Sequence, residues 1–158
     1  NMENKKQITT LCIIHQHPKV LLGMKKRRFG AGRWNGYGGK VMEGESIEES
    51  LVREFKEEAG IKLEGFEKVG IMEFTFAKTG EVIDVHLYKG HQFSGEPVET
   101  EEMKPQWFYI DEIPFGDMWP DDVYWFPLFL KDKKFKGKFT FGAGDVILGK
   151  ELEEVKEL

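Results

Sequence analysis

The sequence predicts an α/β fold in which helices cover a mixed β-sheet, and three observations carry that prediction. Of 158 residues, 40% are apolar and 13% aromatic, enough to fill a core and exclude a disordered chain. Short runs rich in β-branched and aromatic residues recur along most of the chain. Only two stretches carry helix start and stop signals, and many strands with two helices require those helices to lie on the sheet. The length suits one domain, expected over residues 2–158, with Asn1 an added residue ahead of the natural start at Met2.

Residues 8–15 and 20–25 read as strands separated by a turn at His17-Pro18. Residues 29–39 hold five glycines in eleven positions, a composition that lets backbone approach a ligand and forms no regular helix. Residues 46–59 form the clearest helix: Ser46 and Glu49 make a capping box, and Gly60 is the stop. Residues 69–77 and 82–89 read as a hairpin turning at 78–81, and residues 106–110 as a short strand. A second helix is expected over 121–132 despite Pro127, capped by Asp121 or Asp122. Residues 134–141 and 145–148 read as returning strands, and the acidic tail from Glu151 has no clear pattern.

The net charge of −5 argues against broad binding of nucleic acid or acidic membranes. The charge is segregated, however. No acidic residue occurs from Asn4 to Met42, where Lys25, Arg33 and Lys40 are among the basic residues, whereas Glu43 to Glu58 contains seven glutamates. The one cysteine, Cys12, lies in the apolar run Leu11-Cys-Ile-Ile14, which suits a reducing compartment better than a catalytic thiol. Without a secretion signal or an apolar run approaching about 18 residues, the expectation is a soluble intracellular protein. It would be cytoplasmic, with a nuclear or mitochondrial fraction allowed.

The first helix carries the chemistry. At about 100° per residue, Glu54, Glu57 and Glu58 share one arc, while Val52, Phe55 and Ala59 occupy a neighbouring apolar arc with Leu51 near its edge. Arg53 and Lys56 are expected on other sides. Like charges three and four residues apart repel. A solvated face is one reading; neutralisation by a hard divalent cation, Mg²⁺ or Mn²⁺, is the other.

Gly39-x5-Glu45-x7-Arg53-Glu54-Phe55-x-Glu57-Glu58-x-Gly60-Ile61 matches every fixed position of the Nudix box, nine constrained positions in all. The sequence therefore resembles the Nudix hydrolases, which cleave nucleoside diphosphates linked to another moiety. The resemblance implies an α/β/α sandwich with a mixed sheet and a loop–helix–loop metal site. It implies that Glu54, Glu57 and Glu58 hold Mg²⁺, with the Gly38 carbonyl as a further ligand. Arg53 would orient the carboxylates and Glu45 would support the loop. For the general base, Glu54 is the first choice and Glu57 the second.

A longer resemblance covers nearly the whole chain. Leu21-Leu-Gly-Met-Lys-Lys-Arg27, Phe29 to Lys40, Met118-Trp-Pro-Asp-Asp122 and Tyr124-Trp-Phe-Pro127 look like the animal MutT-homologue branch, which hydrolyses oxidised purine nucleoside triphosphates. On that resemblance the substrates are 8-oxo-dGTP and 2-hydroxy-dATP, with methylated purine triphosphates beside them, and the products are a monophosphate and pyrophosphate. Asn35 suits a purine edge, and the adjacent Asp121 and Asp122 can share a proton in a partly dry pocket, so that a donor stands beside an acceptor. The resemblance places Trp119 and Pro120 in the substrate pocket; Trp119 offers a stacking surface, which Phe29, Phe74 and Trp125 would complete. The branch further implies Thr10, Lys25, Tyr37, Gly38, Gly39 and Lys40 in the substrate pocket, and Glu102, or its neighbour Glu101, as an additional metal ligand. Two departures stand out: Arg28 replaces a usual glycine, and the stiffer Ile83 replaces a methionine that lines the base pocket.

Two rivals remain at this point. One is a Nudix hydrolase acting on another nucleoside diphosphate derivative, which Asn35 and residues 119–122 disfavour. The other is a non-catalytic nucleotide-binding module, which the intact but repulsive glutamate set disfavours. The expected partner is a small nucleotide, with no stable nucleic-acid or membrane binding and a monomeric state.

Overall fold

The computed structural model describes residues 6–158, so Asn1 and the expected start at Met2 lie outside the described residues. The strands are β1 (Gln7–Gln16), β2 (Lys19–Lys25), β3 (Trp34–Asn35), β4 (Lys62–Phe76), β5 (Glu81–Ser94), β6 (Met103–Tyr109), β7 (Lys134–Phe141) and β8 (Ile147–Val155). They join in one sheet of order β3-β2-β1-β5-β4-β7-β8, with β6 on β2. The pairs β1·β5 and β4·β7 are parallel and the others antiparallel, so the sheet is mixed as expected.

Strand alternation assigns each side chain to a helix. On β1, Cys12 and Ile14 pack with Leu51, Phe55 and Ala59 of α1 (Ile47–Ala59), while Ile13 packs with Trp125, Phe126 and Phe129 of α2 (Asp122–Leu130). On β2, Leu21 goes to the α1 side, and Val20 and Leu22 to the α2 side. A period of two with both faces apolar places one core on each face of the sheet, which is the α/β/α sandwich.

The helix α1 begins at a complete capping box: the Glu49 N–H donates to Ser46 Oγ at 3.0 Å and the Ser46 N–H donates to Glu49 Oε1 at 2.8 Å. It ends at Gly60, whose φ of 71° and N–H bond to the Lys56 carbonyl make the stop. Its buried face differs from the expected arc. Leu51 is fully buried, Val52 only half-buried, and Glu58 is itself buried.

β1 and β3 lie in succession along one edge of β2. Beyond β3 the glycine-rich segment turns onto the first half of β1. The Cys12 N–H donates to the Tyr37 carbonyl at 2.7 Å, the Thr10 N–H to the Gly39 carbonyl at 2.9 Å, and the Val41 N–H to the Ile8 carbonyl at 3.0 Å. The approach is so close that a Cβ at Gly38 would lie 1.9 Å from the Thr10 carbonyl oxygen. The strand pairing thus brings residues 38–40 alongside α1.

Several boundaries differ from expectation. β4 starts at Lys62 rather than 69, because three register irregularities between Leu63 and Gly70 break the alternation by which a strand is read. α2 ends at Leu130, two residues early, with Asp132 in the left-handed region at φ 59°. Neither Asp121 nor Asp122 caps it, since the N-cap residue Asp121 is helical at φ −75° and ψ −24° and makes no side-chain cap bond. Asp145 lies in a 3-10 turn rather than a strand, and the acidic tail is most of β8, paired with β7.

Candidate active site

A cavity of about 920 Å³ opens between the glycine-rich segment, α1, the β4–β5 face and the start of α2. On the acidic side, its wall includes Glu54, Glu57, Glu58, Arg53, Glu102, Gly38, Gly39 and Lys40. Arg53 does not point away from the carboxylates, contrary to the helical-wheel expectation. Its Nε donates to Glu45 at 2.6 Å, and its Nη1 donates to Glu54 at 2.7 Å and Glu57 at 3.2 Å. Nη2 reaches the Lys40 carbonyl at 3.3 Å. The planar fork suits several acceptors at once. Glu45 in turn accepts from the Met42 N–H at 3.0 Å, which ties the loop to the helix.

Arg53 pulls the Glu45 carboxyl down to about 2. Burial pushes Glu58 the other way, up to about 8; the Glu54 carboxylate adds repulsion and the Gly38 N–H, donating at 3.0 Å, opposes it. Burial also raises Glu54, against the pull of Arg53. The donor set is therefore hard oxygen, crowded, and unfavourable as bare anions. Among the described residues no three His, Cys, Asp or Glu side chains already converge on one point. The chemistry of the donor set, carboxylate and carbonyl oxygen, is that which hard divalent cations take.

Glu102 lies on the same wall, held by Arg27 Nη2 at 2.6 Å, which lowers its pKa, while Glu101 is exposed. Arg28 stands at φ 67°, a left-handed position that favours glycine and accounts for the residue it replaces. Thr10 is buried, its hydroxyl 3.5 Å from the Gly39 carbonyl.

The remaining wall is aromatic, with two carboxyls. It includes Lys25, Asn35, Phe29, Phe74, Ile83 and Trp119, together with Asp121, Asp122 and Trp125. Asp121 and Asp122 are 2% and 4% exposed. Burial raises both carboxyls; at Asp122 the Asp121 charge adds to the rise, whereas at Asp121 the Trp125 indole opposes it. Trp125 is fully buried and serves as a donor rather than a stacking surface, its Nε1 bonding Asp121 Oδ2 at 2.8 Å. Phe29 is 60% exposed and lies tilted against Trp119 at 5.2 Å.

Two expected pocket residues are elsewhere. Tyr37 is fully buried, stacked on Phe55 at 4.6 Å in the α1-side core, where its backbone pairs with Cys12. Pro120 is half-buried off the wall. The wall also contains residues with no site signal of their own in the sequence, Met72, Phe76 and Phe141 among them. Met72 and Phe76 follow from Phe74 by strand alternation, whereas Phe141 arrives from a distant strand. Burial raises the pKa of Cys12, and it lies outside the cavity, which excludes a catalytic thiol.

The NUDIX domain family matches residues 5–129. The chain belongs to the Nudix family. Nudix hydrolases generally use a divalent metal. This Nudix chain is 53% identical over 149 residues to the oxidized purine nucleoside triphosphate hydrolase of Mus musculus, covering 94% of this chain and 96% of the relative. The protein of the same description from Danio rerio is 49% identical over 152 residues, with 96% and 97% covered. A crystal structure of a MutT protein from Bacillus halodurans superposes with a TM-score of 0.83 at 32% identity, over 93% of this chain and 97% of that one. No helix of the described residues is long and apolar enough to cross a membrane.

Proposed function

We propose that this Nudix protein is a Mg²⁺-dependent hydrolase of oxidised purine nucleoside triphosphates, converting 8-oxo-dGTP and 2-hydroxy-dATP to the monophosphate and pyrophosphate. Methylated purine triphosphates fall within its range. The observation that carries the reading is one cavity joining the glutamate face of α1 to the buried Asp121–Asp122 pair. Relatives of about 50% identity over nearly the whole chain are described as oxidized purine nucleoside triphosphate hydrolases, which supports the substrate class.

Mg²⁺, or Mn²⁺ in its place, held by Glu54, Glu57 and Glu58 with Glu102 and the Gly38 carbonyl, would neutralise the polyphosphate and acidify an attacking water. Arg53 fixes the rotamers of Glu54 and Glu57, and through Glu45 fixes the loop. Glu54 takes the proton of the attacking water as general base, with Glu57 next in order. Lys25 and Lys40 meet phosphate charge. Thr10, Asn35 and the aspartate pair present donors and acceptors to the purine edge. Trp119 and Phe29 stack on the base, with Phe74 and Ile83 limiting its width. A shared proton lets Asp121 and Asp122 offer one donor and one acceptor, which suits purines with altered tautomers.

We further infer a single catalytic domain over residues 2–158, acting as a cytoplasmic monomer on a free nucleotide, with a nuclear or mitochondrial fraction allowed. A turnover panel of oxidised, methylated and unmodified triphosphates with Mg²⁺ or Mn²⁺ tests the activity. Modified purines should lead, with monophosphate and pyrophosphate as products. A clear preference for unmodified nucleotides or dinucleoside polyphosphates would overturn the reading.

A further inference from the structure

Outside the catalytic carboxylates, the residue best placed to influence substrate choice is Arg33. Its guanidinium lies over the Trp119 ring, 4.2 Å from the centroid, and its Nη1 donates to Asp145 Oδ2 at 2.9 Å. Asp145 belongs to the turn between β7 and β8, beyond residue 129 where the family match ends. That turn is well tied: the Asp145 N–H donates to the Gly142 carbonyl at 3.1 Å and the Gly142 N–H to the Val146 carbonyl at 2.7 Å. Asp145 itself sits in the left-handed region at φ 60°, which aspartate and asparagine tolerate better than most residues.

The same hairpin touches Trp119 a second time, through the Phe141 ring at 5.7 Å and 61°. The indole is thus gripped by an aromatic edge and by a stacked cation. An open groove of about 530 Å³ runs beside Arg33, so dense packing does not hold the guanidinium in place and the ion pair must. Its positive charge also reaches Asp121 and Asp122. One cation therefore acts on both the stacking surface and the hydrogen-bonding edge assigned to the purine.

We propose that Arg33, anchored by Asp145, is a positioning residue that sets the plane of Trp119 and thereby tunes base selection. The turn that carries Asp145 then contributes to specificity from outside the cavity. This role rests on the functional reading above.

The test uses Arg33→Gln, Arg33→Lys, Asp145→Asn and the Arg33→Gln/Asp145→Asn double variant of the full chain. KM and kcat are measured for 8-oxo-dGTP and dGTP, the dissociation constant for the 8-oxo-dGMP product by calorimetry, and stability by thermal melting. Arg33→Gln and Asp145→Asn should raise KM for 8-oxo-dGTP and weaken product binding about five- to tenfold, with kcat within about twofold. Discrimination against dGTP should fall in parallel. Arg33→Lys should keep the charge but lose the planar stack, and so behave like Arg33→Gln. The double variant should be no worse than the worse single variant, because both changes break one chain of contacts. Unchanged KM and product affinity in folded variants, or additive losses, would overturn the role. Losses confined to melting temperature or kcat would overturn it too. A wild-type protein that turns over no modified purine would overturn the functional reading and this role together, whereas active wild type with unaltered variants would overturn this role alone.

Discussion

The indole N–H of Trp125 donates to Asp121 across 2.8 Å, one helical turn away, and so commits a carboxyl oxygen to the interior while the end of α2 stays uncapped. The pair Asp121–Asp122 therefore pays for its burial in a way a capping role would not require. Asp122 has an ordinary value of 3.8 when unfolded and is pushed well above it in the fold by burial and by the Asp121 charge.

The sign of the pH effect follows. The folded state keeps a proton that the unfolded chain releases, so the contribution to stability is full below about pH 3.8 and is lost as pH rises through the folded value. Asp122→Asn abolishes that titration. Its melting temperature relative to wild type should climb as pH rises above about 4. A difference that stays flat with pH would contradict the buried pair.

Glu57→Gln and Glu58→Gln should each lower kcat by about 10²–10⁴ in saturating Mg²⁺. Circular dichroism should remain that of the folded protein. Near-normal rates would remove these residues from the metal site.

Arg53→Lys should cost activity as well, despite keeping the charge. One ammonium cannot reproduce a fork that serves Glu45, Glu54 and Glu57 together. The expected loss in kcat is about ten- to a hundredfold, read beside an unchanged helical spectrum.

The adjacent glycines should separate folding from catalysis. At Gly38 a methyl would strike the Thr10 carbonyl, a backbone atom fixed in the sheet, so Gly38→Ala should fail to fold stably. At Gly39 the obstacle is the Glu54 carboxylate, 2.3 Å from an added Cβ. Gly39→Ala should melt closer to wild type yet lose activity, as thermal scans and kcat/KM would reveal.

Ser46→Ala tests the start of α1. Removal of the hydroxyl that accepts the Glu49 N–H should cost about 1 kcal/mol in urea unfolding. The active site would stay intact, so kcat should hold at temperatures well below melting.

Most strands and both helices were legible because their signals are local. A capping box, a glycine stop and a two-residue alternation act over a few neighbouring residues. Where that alternation was interrupted, as between Leu63 and Gly70, the strand was read seven residues short. Only the start of β8 is legible, since the rest is exposed and acidic with little apolar pattern, and pairing with β7 creates it. Helical spacing likewise placed Glu54, Glu57 and Glu58 together, but not the reach of Arg53, whose long side chain crosses the arcs that a wheel keeps apart.

By itself, then, the sequence determined the sandwich of sheet and helices, the carboxylate face of α1, and through the box and longer motifs the family and the residues to examine at its site. Tertiary structure alone decided which of those residues share a wall. It turned Tyr37 into the core, took Asp121 and Asp122 out of capping and into a buried pair, and brought Asp145 to Arg33 across 112 positions of chain. The reason is range. Helical and strand periodicity are set by backbone geometry within a few residues, whereas burial and the meeting of distant charges are set by which strands pair.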